Sequence, residues 1–410
     1  MTWKIIALAA LTVVWLFEML LHGVEARSVR NPIPDNVKDV YDPETYTRWR
    51  QYHGEKNRLK LLTSTVSWII SMLLMGLNAY AAFAGLFPEN PITRMFAVLL
   101  LSALGDLLLV PFSYYDTMRI EEKYGFNRSS KKTFWLDQVK EFVIGLGLIT
   151  GIGCLLLWIH QSLGDLLIVV FAAAMTVLML IFTFLYPLFS KIFNKFTPLE
   201  DGELKEGLTS LLKKHGYTVR AINVMDASRR STKSNAYFTG FGKMKTIVLY
   251  DTLVSAMTTE EICAVFAHEL GHGLHKDTLK NVLLSAGQML ILAFLAWLTL
   301  RTAEIYPPFG FDGVNYGFAI ILITTVEFAL ISPLSKLVAN TFSRRNEFRA
   351  DAQAVSEGYG SALVSALKKL GRENFTNLAP SPLLVKLDYS HPPLSERIAA
   401  IEKFPSQPEA

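Results

Sequence analysis

Seven stretches of this chain are long and apolar enough to cross a lipid bilayer: residues 3–22, 61–87, 94–113, 141–160, 165–189, 281–301 and 315–335. A bilayer core accommodates about 20 consecutive apolar residues as a helix, and hydrocarbon forces each backbone N–H and C=O to be satisfied within the segment. The stretches therefore commit much of the chain to helices. With 51% hydrophobic and 19% charged residues and a mean hydropathy of +0.30, the composition excludes an ordinary soluble enzyme. The second and fifth stretches are long enough to tilt. The first has a secretory signal peptide as its alternative reading, because Lys4 precedes an apolar core and Val24-Glu25-Ala26 resembles a cleavage site. The length of that core, with Trp15, Phe17 and Glu18 in it, favours a retained span.

Basic residues orient the bundle. Arg27, Arg30, Lys38, Arg48, Arg50, Lys56 and Arg58 lie between the first and second stretches, and Arg119, Lys123, Arg128, Lys131, Lys132 and Lys140 between the third and fourth. The alternate connections are nearly bare. By the positive-inside rule the basic connections and the C-terminal region face the cytoplasm and the N-terminus faces outward. The net charge of +4 is ordinary for a membrane protein, and no basic tract with interleaved aromatics suggests a nucleic-acid partner. The two cysteines, Cys154 in a span and Cys263 outside, imply no disulfide framework and suit a reducing compartment.

The expected organisation is an N-terminal membrane region over 1–189, a first soluble part over 190–280, two spans over 281–335 and a second soluble part over 336–410. Two spans separate the soluble parts, so both lie on one side. Val219–Met225, Ser234–Thr239 and Thr246–Tyr250 read as strands of a small sheet, the last two joined by a basic turn with Gly240 and Gly242. Pro405–Ala410 reads as a frayed tail.

The first soluble part ends in AVFAHELGHGLHKD. On a helix, His268 and His272 share a face at i and i+4, so both imidazoles reach one Zn²⁺ while Glu269 stands beside the open position. Chance would produce such a pattern in on the order of one per cent of comparable chains, so its surroundings matter. Thr258 and Glu261 form a capping box that starts a helix just upstream, and Ile262, Val265, Phe266 and Leu270 recur at helical spacing. Gly271 is expected to leave room beside the metal. His275, one turn beyond His272, is given a role outside the ligand set, because tetrahedral zinc rarely takes three histidines from one helix. The third ligand is sought in SRRNEFRADAQA, where Glu347 lies 75 residues after His272 on the same side of the membrane. Asp351, one turn on, is placed to accept the free N–H of a ligating histidine. The bland alternative pairs both carboxylates with Arg344, Arg345 and Arg349 on a solvated helix.

HELGH followed by SRRNEFRADAQA resembles the active site of the integral-membrane CAAX prenyl protease 1 family. YGFNRSSKKTFWLDQVK at 124–140, PLFSKIFNKFTPLEDGELK at 187–205 and SNAYFTGFGKMKTIVLYDTL at 234–253 are similar to that family too. The resemblance implies a mainly α, polytopic fold with about seven transmembrane helices enclosing a water-filled chamber, plus a zincin-like α+β catalytic domain. It makes His268, His272 and Glu347 the ligands of one Zn²⁺ and Glu269 the general base, with Asp351 counted among the catalytic group. Asn235, with Ala236 and Tyr237, matches the edge strand that lies along the substrate backbone, in keeping with strand addition. HPPLSERI at 391–398 places His391 and Arg397 near the reacting carbonyl, where either would stabilise an oxyanion. His391 also has a plain reading as a capping residue before Pro392-Pro393.

The implied reaction is peptide-bond hydrolysis, with Glu269 taking a proton from water and returning it to the leaving amine. The expected partners are the bilayer and a peptide or protein substrate, isoprenylated or membrane-embedded, with oligomeric state left open. The connection between the last two spans and the region before HExxH look short, as in compact bacterial family members. The substrate range therefore extends to other membrane-associated peptides and to misfolded membrane proteins. The host membrane would be the inner or plasma membrane in a bacterium, or the endoplasmic reticulum in a eukaryote. Glu18, Asp106 and Glu327, ionisable residues within spans, raise a transporter or channel as a competing class. The chain has no repeated halves, and the family's chamber accounts for these residues.

Overall fold

The computed structural model describes residues 1–190, 194–239 and 244–404. The Gly240–Gly242 turn and the 405–410 tail lie outside the described residues. Helices come first: α1 (Thr2–Ser28), α2 (Pro43–Gly76), α3 (Ala79–Ala84), α4 (Pro91–Leu107), α5 (Val110–Tyr115), α6 (Lys131–Leu163) and α7 (Leu167–Ser190). The soluble middle holds β1 (Phe196–Pro198), α8 (Glu203–Lys214), β2 (Thr218–Met225), β3 (Ala236–Thr239), β4 (Met244–Tyr250), α9 (Asp251–Ala256) and α10 (Thr259–Leu274). After these come α11 (Asp277–Arg301), α12 (Tyr316–Ile321), α13 (Phe328–Ser356), α14 (Gly360–Glu373), α15 (Pro382–Leu387) and α16 (Leu394–Lys403).

Six stretches of helix among the described residues are long and apolar enough to cross a membrane. One of them, Lys131–Thr183, is broken at Gly164, whose φ of +53° suits glycine, into α6 and α7. Each of the seven apolar stretches thus corresponds to a helical leg. The boundaries differ from the hydropathy reading in physically simple ways. Asp42 caps α2 and Pro43 occupies its first turn, so that helix starts well outside the apolar stretch. Near its other end the 61–87 stretch breaks at Asn78, which sits at φ +56°. The last span continues through a π-helical turn at Leu322–Glu327 into α13, which carries the chain from the membrane into the catalytic part.

Two large hydrophobic cores lie among the described residues, beside a small third cluster around Met225, Ala227 and Val248. One joins the membrane helices through residues such as Met95, Leu156, Phe309 and Phe318. The other, around α8, α10, α14, α16 and the sheet, also takes in Trp49 and Tyr52 from α2 and Phe126 from the loop before α6. Tyr52, Phe126 and Phe375 meet edge to face, so the two basic connections pack directly on the catalytic part. The sheet has the order β1-β2-β4-β3, with β2 and β4 parallel and the outer strands antiparallel to their neighbours. The short edge strand β1 had no alternating pattern by which to be read from sequence.

Between the membrane helices lies a cavity of about 880 Å³, walled in part by Glu18, His22, Lys56, Asp116 and Lys336 and reaching Tyr389. A neighbouring cavity of about 640 Å³ contains Asp106 and shares Ser67, Ser71 and Thr325 with the first. Glu18 accepts from Ser64 at 2.5 Å and Glu327 from the fully buried Thr299 at 2.7 Å. Glu18 and Glu327 thus each accept from a hydroxyl inside the protein, and Asp106 lines the smaller cavity.

Candidate metal centre

Helix α10 starts at the capping box. The Thr258 hydroxyl accepts from the Glu261 N–H at 3.3 Å, and the Glu261 carboxylate accepts from the Thr258 N–H at 2.9 Å. Burial pushes the Glu261 pKa up, but donors from Lys369, Ser365 and Thr258 outweigh it and hold the carboxyl down to about 2. The cap also ties α10 to α14, because Ser365 and Lys369 both lie on that helix.

The helical turn sets the His268 and His272 rings 4.9 Å apart and nearly perpendicular. Glu347 arrives from α13, its Oε2 3.5 Å from His268 Nε2 and its Oε1 3.2 Å from His272 Nε2. One ligand atom from each of the three lies within 4.8 Å of the others. Gly271 is what allows this approach. A Cβ there would meet the Ala350 Cα at 2.9 Å and the Gln353 Cβ at 3.0 Å. The room that Gly271 leaves is therefore filled by the backbone of α13, which corrects the expectation that it opened space beside a metal.

Asp351, fully buried, lies with Oδ1 2.8 Å from His268 Nδ1. Arg397 grips the same carboxylate through Nε at 2.9 Å and Nη2 at 2.6 Å, and its Nη1 stands 3.3 Å from Glu347 Oε2. Asp277 Oδ2 lies 3.0 Å from His272 Nδ1. With both Nδ1 atoms donating to carboxylates, both Nε2 lone pairs face Glu347. Three lone-pair donors converging on one point repel unless a cation or protons lie among them. Burial pushes His272 down, but hydrogen bonds to Glu347 and Asp277 outweigh it and hold it up to about 9. Glu347 Oε2 is buried without a hydrogen-bond donor. Two imidazole nitrogens and a carboxylate oxygen form the borderline donor set that suits zinc.

The remaining residues singled out from sequence fall around this centre. Glu269 is half-buried on α10 between the two histidines. His391 is exposed at the rim, Nε2 3.5 Å from Glu347 Oε1, and its Nδ1 is 2.9 Å from the Ser390 hydroxyl. His275 caps the C-terminus of α10 and stays outside the cluster. The arginines of the alternative reading go elsewhere: Arg344 donates to the Val385 and Tyr389 carbonyls, and Arg349 to Asp277 and Asn346. Strand β3 is a sheet edge that packs on α10. Since the Tyr250 N–H donates to the Asn235 carbonyl at 3.1 Å, alternation turns the Ala236 N–H and C=O to the open edge and those of Tyr237 toward β4. Asn235 is exposed, and its Oδ1 accepts from the Ala236 N–H at 2.9 Å. Asp277 is the contact that sequence reasoning missed. It stands five residues after His272, beyond the helix that the HExxH spacing defines.

The chain is similar to known proteins along its length. Residues 25–195 match a family model described as the CAAX prenyl protease N-terminal region with five membrane helices, and residues 198–404 match peptidase family M48. The CAAX prenyl protease 1 homolog of Arabidopsis thaliana is 35% identical over 95% of both chains, and that of Homo sapiens 30% identical over 95% of this chain and 93% of its own. The crystal structure of S. mikatae Ste24p superimposes with a TM-score of 0.89 at 30% identity, covering 98% of this chain and 99% of the other. The likeness thus runs along nearly the whole length, and the chain belongs to peptidase family M48 as a membrane metalloendopeptidase of the CAAX prenyl protease 1 family.

Proposed function

We propose that His268, His272 and Glu347 hold one Zn²⁺ and that the enzyme removes the C-terminal residues of isoprenylated, membrane-associated proteins on the cytoplasmic face. The observation that carries the metal assignment is the buried Glu347 carboxylate, whose two oxygens lie 3.5 Å from His268 Nε2 and 3.2 Å from His272 Nε2, while the Nδ1 atoms of both rings already face Asp351 and Asp277. When bound, zinc supplies Lewis acidity to a water and to the scissile carbonyl. Glu269 takes the proton from the attacking water and hands it to the leaving nitrogen. His391, on the exposed rim, donates to the developing oxyanion. Arg397, nearly buried and bound to Asp351, acts chiefly by holding that carboxylate and, through it, the His268 ring. The substrate backbone adds to the open edge of β3 at Ala236, with the Asn235 amide swinging from its own strand to the peptide.

The substrate class rests on the CAAX prenyl protease 1 relatives and on the cavity that reaches from the membrane helices to Tyr389, two residues before His391. The cytoplasmic orientation rests on the basic connections, whose Trp49, Tyr52 and Phe126 share a core with α10. The test incubates the purified protein with prenylated and unprenylated CAAX peptides, with and without a zinc chelator, and resolves the products by mass spectrometry. Loss of a C-terminal tripeptide from the prenylated peptide alone, abolished by chelator and by Glu269→Gln, is the expected result. Equal cleavage of both peptides would replace this substrate class with membrane-protein quality control. Persistence under full chelation would overturn the zinc assignment.

A further inference from the structure

The two histidines of the metal centre are oriented from different helices. Asp351 serves His268 from α13, the helix that also brings Glu347. For His272 the contact comes from Asp277, the first residue of α11, which goes on to cross the membrane. Asp277 is only 2% exposed and its two oxygens have separate duties. Oδ2 faces His272 Nδ1 at 3.0 Å, while Oδ1 accepts from Lys280 at 3.0 Å and from Arg349 at 3.1 Å. Two cations thus fix the carboxylate plane and offset its charge. What they leave for the imidazole is one oriented acceptor. Arg349 is itself held by Asn346 on α13, so α10, α11 and α13 all meet at this carboxylate.

A plain alternative is that Asp277 merely favours the positive end of the α11 dipole, as acidic residues in first turns do. Two observations oppose it. Among the described residues no side-chain hydrogen bond caps the α11 N-terminus, so the carboxylate is aimed back at α10 rather than at the N–H groups of its own helix. The residue that makes this aim possible is Lys276, which adopts φ +56° between the two helices. A left-handed conformation at a residue with a side chain costs on the order of 1 kcal/mol and persists where the surroundings require it. Here it joins the two helices so that Asp277 Oδ2 comes 3.0 Å from His272 Nδ1.

We propose that Asp277, clamped by Lys280 and Arg349, is the positioning residue for His272: it fixes the ring's tautomer and plane so that Nε2 points at the metal, and it references that ligand to the first turn of a membrane-crossing helix. The inference rests on the zinc site proposed above. Removing an outer-shell carboxylate of this kind lowers metal affinity by about 10–100-fold. The test is zinc affinity of the full-length protein, measured by competition with a chromophoric chelator and expressed per folded molecule. Asp277→Asn is expected to weaken zinc by that factor with most of the protein still folded, because its single amide oxygen cannot serve both sides and, turned to Lys280 and Arg349, sets NH₂ against His272 Nδ1. The double variant Lys280→Met and Arg349→Met keeps the carboxylate but frees it, and is expected to weaken zinc by roughly 3–10-fold. Unchanged affinity in Asp277→Asn, even with a lowered Tm, would overturn the proposal and leave Asp277 as a helix anchor. If Asp277→Asn fails to fold, unchanged affinity in the double variant overturns it instead. His272→Ala separates the two layers of inference: zinc retained in that variant refutes the site itself, whereas zinc lost there but kept in Asp277→Asn refutes only the positioning role.

Discussion

Gly271→Ala sets two effects of known size against each other. In a helix interior alanine is favoured over glycine by about 1 kcal/mol, so on propensity alone the substitution would stabilise α10. Against this, the new methyl group would lie 2.9 Å from the Ala350 Cα, 3.0 Å from the Gln353 Cβ and 3.3 Å from the Ala350 carbonyl oxygen. Ordinary carbon contacts are about 3.5–4.0 Å, so α13 has to retreat by roughly 0.6–1 Å, and two of the three atoms in its way, the Ala350 Cα and carbonyl oxygen, are backbone that cannot rotate aside. Overpacking of this kind costs about 1–3 kcal/mol, enough to cancel or reverse the propensity gain. The functional consequence is larger. Ala350 lies between Glu347 and Asp351 on α13, and a ligand displaced by more than about 0.2 Å leaves the range that zinc tolerates. Gly271→Ala is therefore expected to lose zinc affinity by 10-fold or more while the apo protein changes by no more than about 2 kcal/mol in stability. Thermal melts of the apo and zinc-loaded forms measure both, since the zinc-induced rise in Tm reports affinity by mass action. A variant at least as stable as the parent, with an undiminished zinc-induced rise, would show that the α10–α13 approach does not set the metal site.

Three further outcomes are expected. Asn235→Ala should lower kcat/KM by roughly 10-fold, as loss of about 1–2 kcal/mol in one hydrogen bond to bound peptide implies, with zinc content and Tm little changed; lowered stability with normal turnover per folded molecule would remove Asn235 from the substrate path. Because the folded-state pKa of Glu261 is depressed to about 2, its contribution to stability is present above its ordinary value of 4.5 and is lost as pH falls from there toward 2. Acid unfolding of the zinc-free protein should accordingly be shallower over that window in Glu261→Gln, and an unchanged acid limb would discount the cap. Single cysteines introduced at Arg48, Lys131, Lys243 and Ser395 should be labelled from the cytoplasmic side and one at Asp312 from the other; opposite labelling of Lys243 and Ser395 would break the shared side on which the two halves of the site depend.

What sequence could and could not disclose follows from the range of each interaction. The capping box at Thr258 and Glu261 and the i,i+4 histidines are local. They need only a helix, and the structure reproduces them at the expected residues. Hydropathy located the membrane legs because burial in lipid is a property of composition. It could not place their ends, since α2 and α13 leave the bilayer as continuous helix and are held there by caps and by packing on the catalytic core. The position of Glu347 needed span parity and family resemblance, because nothing between 272 and 347 fixes a distance.

The contrast between Asp351 and Asp277 shows where such reading stops. Asp351 could be singled out because it shares a helical face with Glu347, so a single periodicity puts both beside His268. Asp277 is closer in sequence to the histidine it faces, yet no periodicity connects them. The chain leaves α10 at His275, passes through a left-handed Lys276 and enters a new helix, and the relative direction of the two helices depends on the backbone angles of that junction. A residue such as Lys276 carries no preference for φ above zero, so the turn is imposed by what it brings together: the start of α11, the clamp from α13 and the ring of His272. The strain at 276 and the aim of Asp277 are then two sides of one constraint. Relieving the first by Lys276→Gly should leave zinc affinity intact, because glycine adopts the same φ at no steric cost, whereas Lys276→Val should lose both stability and zinc. Equal zinc affinity in the glycine and valine variants would mean that the junction does not set the ligand geometry.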